Sequence, residues 1–100
     1  MFALVVNETR FQLGQVVATR GVFDKMQESL EFATFVNKSL NRHAKCDWGD
    51  LCKEDVKENE LSLKQGFRLL SAYESQGLPT IWIITEADRS VTTILFPDEY

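Results

Sequence analysis

Pro79-Thr-Ile-Trp-Ile-Ile-Thr85, Glu86-Ala-Asp-Arg-Ser90 and Val91-Thr-Thr-Ile-Leu-Phe96 follow one another directly, and their reading decides the fold. The outer two segments are rich in β-branched and aromatic residues, and the polar one between them supplies a turn. Together they read as a hairpin whose second strand is stopped by Pro97. The strand at 79–85 is the most apolar of the chain and is expected at the centre of a sheet. Phe67-Arg-Leu-Leu-Ser-Ala-Tyr73 reads as a third strand, joined through a turn over 74–78 that contains Gly77. Short turns between successive strands imply antiparallel pairing.

Upstream the apolar period becomes helical. Met26, Leu30, Ala33, Val36, Leu40 and Ala44 step by four and three, with Thr19 placed to cap the start. Phe35 falls nearly opposite this stripe, so either it covers a second surface or the helix is broken, with Ser29 capping a second segment. Cys46-Asp-Trp-Gly-Asp50 interrupts the period. Asp47 or Asp50 is expected to cap the next helix, whose first turn holds Glu54 and Asp55. That helix runs to Gln65 and stops at Gly66, with Cys52, Val56, Asn59 and Leu63 on its inner face. Phe2-Ala-Leu-Val-Val6 and Phe11-Gln-Leu-Gly-Gln-Val-Val-Ala18 read as an N-terminal hairpin, with Gly14 marking a bulge or a close backbone approach. The expected architecture is one α+β domain over 1–100. An antiparallel sheet of four or five strands packs on two or three helices in the order ββααβββ.

The 100 residues, 44% apolar and 26% charged, suffice for one core without a metal or disulfide. A net charge of -4 and scattered Lys and Arg disfavour direct nucleic-acid binding. The lone Cys46/Cys52 pair matches no zinc or redox spacing; one disulfide is geometrically open to it, two reduced thiols are the plainer reading, and no metal is expected. Met1-Phe-Ala-Leu-Val-Val6 is too short for a signal core, and no apolar run approaches the ~20 residues of a membrane span. A cytoplasmic protein without membrane contact or cofactor is expected.

Four places could carry chemistry. His43, the only histidine, lies close to Asp47, Trp48 and Asp50 and could enter a metal site or a His–Asp pair. The plainer reading makes it a partly positive end to a helix, the two aspartates caps and Trp48 a core plug. Asn59, on an inner helical face, is a ligand contact or holds the Asp47–Asp50 loop if buried. Glu86, Asp88 and Arg89 lie in the hairpin loop beside Thr92 and Thr93; they are general acid–base groups if buried, or a solvated turn with an Asp–Arg pair. One of the two threonines should face the core and need a partner. Arg20, between Thr19 and Gly21 at a strand-to-helix turn, could meet an anion. No nucleophile is visibly paired with a base, which weighs against an enzyme.

Several stretches carry a resemblance: Val17-Ala-Thr-Arg-Gly21, Arg42-His-x-x-x-Asp-Trp-Gly-Asp50, Glu54-Asp55 with Asn59, Gly66-x-Arg-Leu-Leu-Ser-Ala-Tyr73, Ile81-Trp-Ile-Ile-Thr-Glu-Ala-Asp-Arg-Ser-x-Thr-Thr-x-Leu95 and Pro97-x-Glu-Tyr100. Together they resemble a family of small plasmid-related proteins of bacterial plasmids, phages and integrated elements. The resemblance implies a mobile-element context and supplies no catalytic residue. Lys45-Cys46 stands where that pattern has a glycine before Asp-Trp-Gly. A weaker resemblance is to RelE/ParE-like toxins, whose Arg, Arg and Tyr are loosely echoed by Arg68, Arg89 and Tyr100.

The leading expectation is therefore a binding or regulatory module that engages a host or element protein. The alternative is a small enzyme or ligand-binding domain gathering His43, Asp47, Asp50, Glu86, Asp88 and Arg89, which requires the two loops to be neighbours. A monomer or a homodimer is expected, the dimer through pairing of an exposed last strand.

Overall fold

Thr19 and Ser29 set where the first helices begin. The Thr19 hydroxyl accepts from Val22 N at 3.5 Å and the Ser29 hydroxyl from Phe32 N at 3.1 Å. In the computed structural model, which describes residues 4–100, the chain runs β1 (Gln15–Ala18), α1 (Arg20–Glu28), α2 (Leu30–Ala44) and α3 (Lys53–Gln65). It continues as β2 (Leu69–Ser75), β3 (Leu78–Thr85), β4 (Val91–Leu95) and a 3-10 turn at Pro97–Glu99. The α+β class holds. The break at Ser29 resolves the Phe35 conflict, because α2 turns that ring onto Phe32 with centroids 6.2 Å apart.

The sheet has the order β1-β4-β3-β2 and is mixed. β2, β3 and β4 are antiparallel, as the short turns require, while β1 joins β4 in parallel. The last strand is thus interior, without the free edge a dimer through it would need. Gly14 marks the close approach that lets β1 in, since a Cβ there would stand 2.2 Å from Ser90 O.

Among the described residues no N-terminal hairpin forms, and the element order is βαααβββ. Residues 2 and 3 of its first strand lie outside the described residues. Asn37 and Asn41, one turn apart on α2, replace the missing partner strand. Val5 N donates to Asn37 Oδ1 at 2.7 Å, Asn41 Nδ2 donates to Val5 O at 2.7 Å, and Asn7 N donates to Asn41 Oδ1 at 3.0 Å. The segment is held extended along a helix, its backbone satisfied by amide side chains.

α1 and α2 cover one face of the sheet. Val22, Met26, Phe32, Ala33, Val36 and Leu40 meet Tyr73, Ile81, Ile83 and Ile94 in one buried cluster. Burying each large side chain is worth about 1.5–3 kcal/mol. α3 packs instead against β2 at the sheet's edge. No helix among the described residues is long and apolar enough to cross a membrane.

The loop before α3 differs most from expectation. Neither aspartate caps the helix; Cys52 takes the N-cap position without a side-chain bond. Cys52 is exposed, and the buried residues of α3 are Asn59 and Ser62. The loop runs as a short extra strand beside β2, with Gly49 bridged to Ala72 in parallel. Ala72 N donates to Trp48 O at 3.3 Å and Asp50 N to Ala72 O at 2.8 Å. Gly49 has φ 75, and a Cβ there would sit 2.0 Å from Ala72 O. Cys46, where the resembled pattern has glycine, is also left-handed, at φ 67. Gly49→Ala is expected to cost about 3 kcal/mol through backbone strain and overlap. Cys46→Gly should stabilise by up to about 1 kcal/mol by relieving the same strain. Urea unfolding of both variants checks the pair; a Gly49→Ala midpoint equal to that of the parent would disprove the close approach.

Candidate functional site

α2 carries His43 into the core, where it is wholly buried. Its Nδ1 lies 2.5 Å from Ser71 Oγ on β2 and its Nε2 lies 2.9 Å from Thr85 Oγ1 on β3. Thr85 Oγ1 lies 2.8 Å from Thr92 Oγ1 on β4, and Thr92 donates to Leu13 O at 2.7 Å. That carbonyl can only accept, so it fixes the direction of the whole chain. Thr92 gives its proton to Leu13, Thr85 gives its own to Thr92, and His43 must donate from Nε2. Nδ1 then accepts from Ser71. Burial, with the positive charge of Arg89 adding to it, pushes the imidazole down to about 3. The ring is neutral, not the charged helix end expected of it. Phe11 and Trp48 cover it edge-on at 5.4 and 5.6 Å.

A serine donating to a neutral imidazole has the form of a nucleophile–base pair. Here Ser71 is wholly buried and no substrate carbonyl can reach it. The arrangement is a scaffold: every polar atom is satisfied and four elements are tied to one ring.

The other predicted residues also have internal partners. Arg42 grips Asp47 through Nε at 2.7 Å and Nη2 at 3.1 Å, which holds the carboxyl below its usual range. Trp48 is buried and donates from Nε1 to Glu60 Oε2 at 2.8 Å. Asp50 Oδ2 accepts from Glu74 N at 2.9 Å. Asn59 does not hold the loop. It donates to Leu70 O and accepts from Leu70 N at 3.1 Å, copying a strand's pairing. Leu70 and Ala72 thus have both outward backbone groups met and Glu74 its N–H, and the edge of β2 is covered along that stretch.

The hairpin loop behaves likewise. Arg89, at φ 59, does not pair with Asp88. It donates to Phe67 O at 2.7 Å, Glu86 O at 3.1 Å and Ser62 O at 3.3 Å, where it meets the carbonyl end of α3. Asp88 turns back onto Ser90 Oγ at 2.6 Å, and Glu86 faces Arg68 at 3.5 Å. Glu86 follows Thr85, which pairs with Leu69 at one end of β2, whereas Asp50 is bound to Glu74 at the other. About 16 Å of strand separates them. The two loops do not converge into one polar site, and among the described residues no three His, Cys, Asp or Glu side chains could share a metal ion. Arg20 is 92% exposed and pairs with Asp24 at 3.7 Å. The helix end beside it is occupied by Glu99, which accepts from the Thr19 hydroxyl at 2.6 Å and from Phe96 N at 2.8 Å. The Thr19 hydroxyl, with Phe96 N, holds this carboxyl below its ordinary range.

What the sequence reading missed is the outer face of the sheet. Leu70, Trp82, Thr93, Val17 and Val91 lie there half-exposed, with Ile84 and Leu95 buried among them. Tyr100, 66% exposed, meets Trp82 edge-on at 5.6 Å. Arg68 lies 5.4 Å over the Tyr100 ring and donates to its hydroxyl at 2.7 Å. The available signal was the alternation of 79–85, which turns Trp82 away from Ile81 and Ile83.

His43 makes acid stability a direct readout of the buried chain. The unfolded imidazole takes a proton near 6.5, the folded one only near 3. Between those values acid favours the unfolded chain by about 1.4 kcal/mol per pH unit. From pH 6.5 to 4.5 the parent should lose about 2 kcal/mol more than His43→Gln, a margin absent above pH 7. Imidazole nitrogen shifts of the parent should stay those of the neutral Nε2–H form throughout, and titration near 6.5 would sink the assignment. No family model, curated protein or solved structure matches the chain.

Proposed function

We propose that this chain is a small protein-binding module that docks a host or mobile-element protein on the outer face of its sheet. The carrying observation is the Trp82–Tyr100–Arg68 cluster on a half-exposed apolar surface. Tryptophan, tyrosine and arginine are the residues that dominate binding energy at protein interfaces. The polar groups that looked most like a catalytic site are spent on internal hydrogen bonds, which weighs for binding over catalysis. The net charge of -4 favours a basic partner and a salt-sensitive association.

A second reading, a RelE/ParE-like toxin, is favoured by one observation: Arg68 and Tyr100 meet on this face. Arg89 does not join them. Growth arrest on expression, relieved by Tyr100→Phe, would transfer the proposal to that reading.

Tagged protein captured from a bacterial lysate at low and high salt, read by mass spectrometry, tests the docking face. One dominant protein, weakened by salt and lost with Trp82→Ala but retained with Glu31→Ala, an exposed position at the start of α2, is the expected outcome. Loss of Trp82 should cost at least about 2 kcal/mol of binding. Undiminished capture by Trp82→Ala would overturn the proposal.

A further inference from the structure

We propose that the cleft between α3 and the outer sheet face receives an arginine side chain of the protein partner. The inference rests on the docking reading above and specifies its chemistry. The cleft holds about 360 Å³ and is lined by Leu51, Asp55, Glu58, Asn59, Leu70 and Trp82. Three of these make apolar walls. The Asn59 amide is held against the Leu70 backbone by one donor and one acceptor bond and carries no charge to answer the rim.

Two exposed carboxylates remain, Asp55 and Glu58, three residues apart on α3 and therefore on one side of it. Neither belongs to an ion pair among the described residues. An occupant that satisfies both walls and rim needs an apolar stem and a cationic head. Arginine fits better than lysine. Its planar guanidinium stacks on an indole and donates in a fork to carboxylates. Its methylene stem covers Leu51 and Leu70 while the head stays at the acidic rim. An acidic peptide or a nucleic-acid phosphate would meet two negative charges at the same place.

The probe is acetyl-Gly-Arg-Gly-amide, titrated against the full chain by nuclear magnetic resonance, with its citrulline and lysine counterparts as controls. Saturable shifts are expected at the Trp82 indole and the Leu70 and Asn59 amides. Saturation should fall in the millimolar range that a side chain of roughly seven heavy atoms permits. Citrulline, isosteric and neutral, should leave these signals unmoved, and lysine should bind more weakly. Asp55→Asn with Glu58→Gln, both on the surface, should weaken arginine binding by about tenfold or more. Equal shifts with citrulline, binding by lysine at least as tight, shifts confined to another face, or an undiminished double variant would each overturn the cleft. If that double variant still captures the lysate partner that Trp82→Ala loses, the arginine cleft fails and the docking face stands. If Trp82→Ala loses nothing, the docking face itself fails.

Discussion

His43 brings two ring nitrogens into the core, and an orphaned one would cost about 1–3 kcal/mol. The fold answers with a hydroxyl on each of three strands and one carbonyl at the end of the line. Ser71, Thr85 and Thr92 stand at inward positions of β2, β3 and β4, where isoleucine or valine would otherwise be expected. Because Leu13 O terminates the chain of donors, the segment leading into β1 is part of the same network. α2, three strands and the N-terminal approach are thereby set relative to one another. A hydrophobic core alone leaves such registers loosely defined, and a satisfied polar chain specifies them.

The second constraint is the edge of β2. A strand with free amides invites pairing with other chains. Here the edge is closed by an aspartate, an asparagine and a single turn of backbone, each meeting one step of the ladder. The Arg42–Asp47 pair anchors the same loop, and Trp48 plugs it against Phe11 and His43. The stretch with the densest functional look in the sequence is thus a fifth, improvised strand. Its residue types recur at catalytic centres because both uses need directional polar groups held in fixed geometry.

Much of the fold was legible. The three strands expected at 67–73, 79–85 and 91–96 lie within two residues of those bounds, the option of a helix break at Ser29 is the one found, and Gly14 marks a close approach. The buried partner predicted for one of Thr92 and Thr93 is found at Thr92. The N-terminal hairpin was not legible as an error, because Asn37 and Asn41 supply strand-like bonds from a helix and leave no periodic trace. Nor did the pattern tell β1 parallel from antiparallel, since both present the same alternation. Site residues failed to declare themselves for a related reason. Asp47, Asp50 and Asn59 differ from ligand-binding residues only in which partner comes nearest, and those partners lie 5 to 24 positions away in sequence.

The two edges and two faces of the sheet leave few ways to associate. β2 is covered from Leu70 to Glu74, and β1 at the other edge is only four residues long, so strand addition would gain little. The inner face is filled by α1 and α2. Three helices could have covered both faces, but α3 spends its packing on the edge of β2 and reaches the outer face only at the cleft beside Trp82. The surface left over combines an indole, a phenol and a guanidinium already braced against one another, so little side-chain entropy remains to be lost on contact. Sealing the edge and opening the face are one choice made by the position of α3. Asn59 joins the two, since its amide fixes that helix to the backbone of Leu70 and leaves the rest of the edge to the Trp48–Asp50 loop.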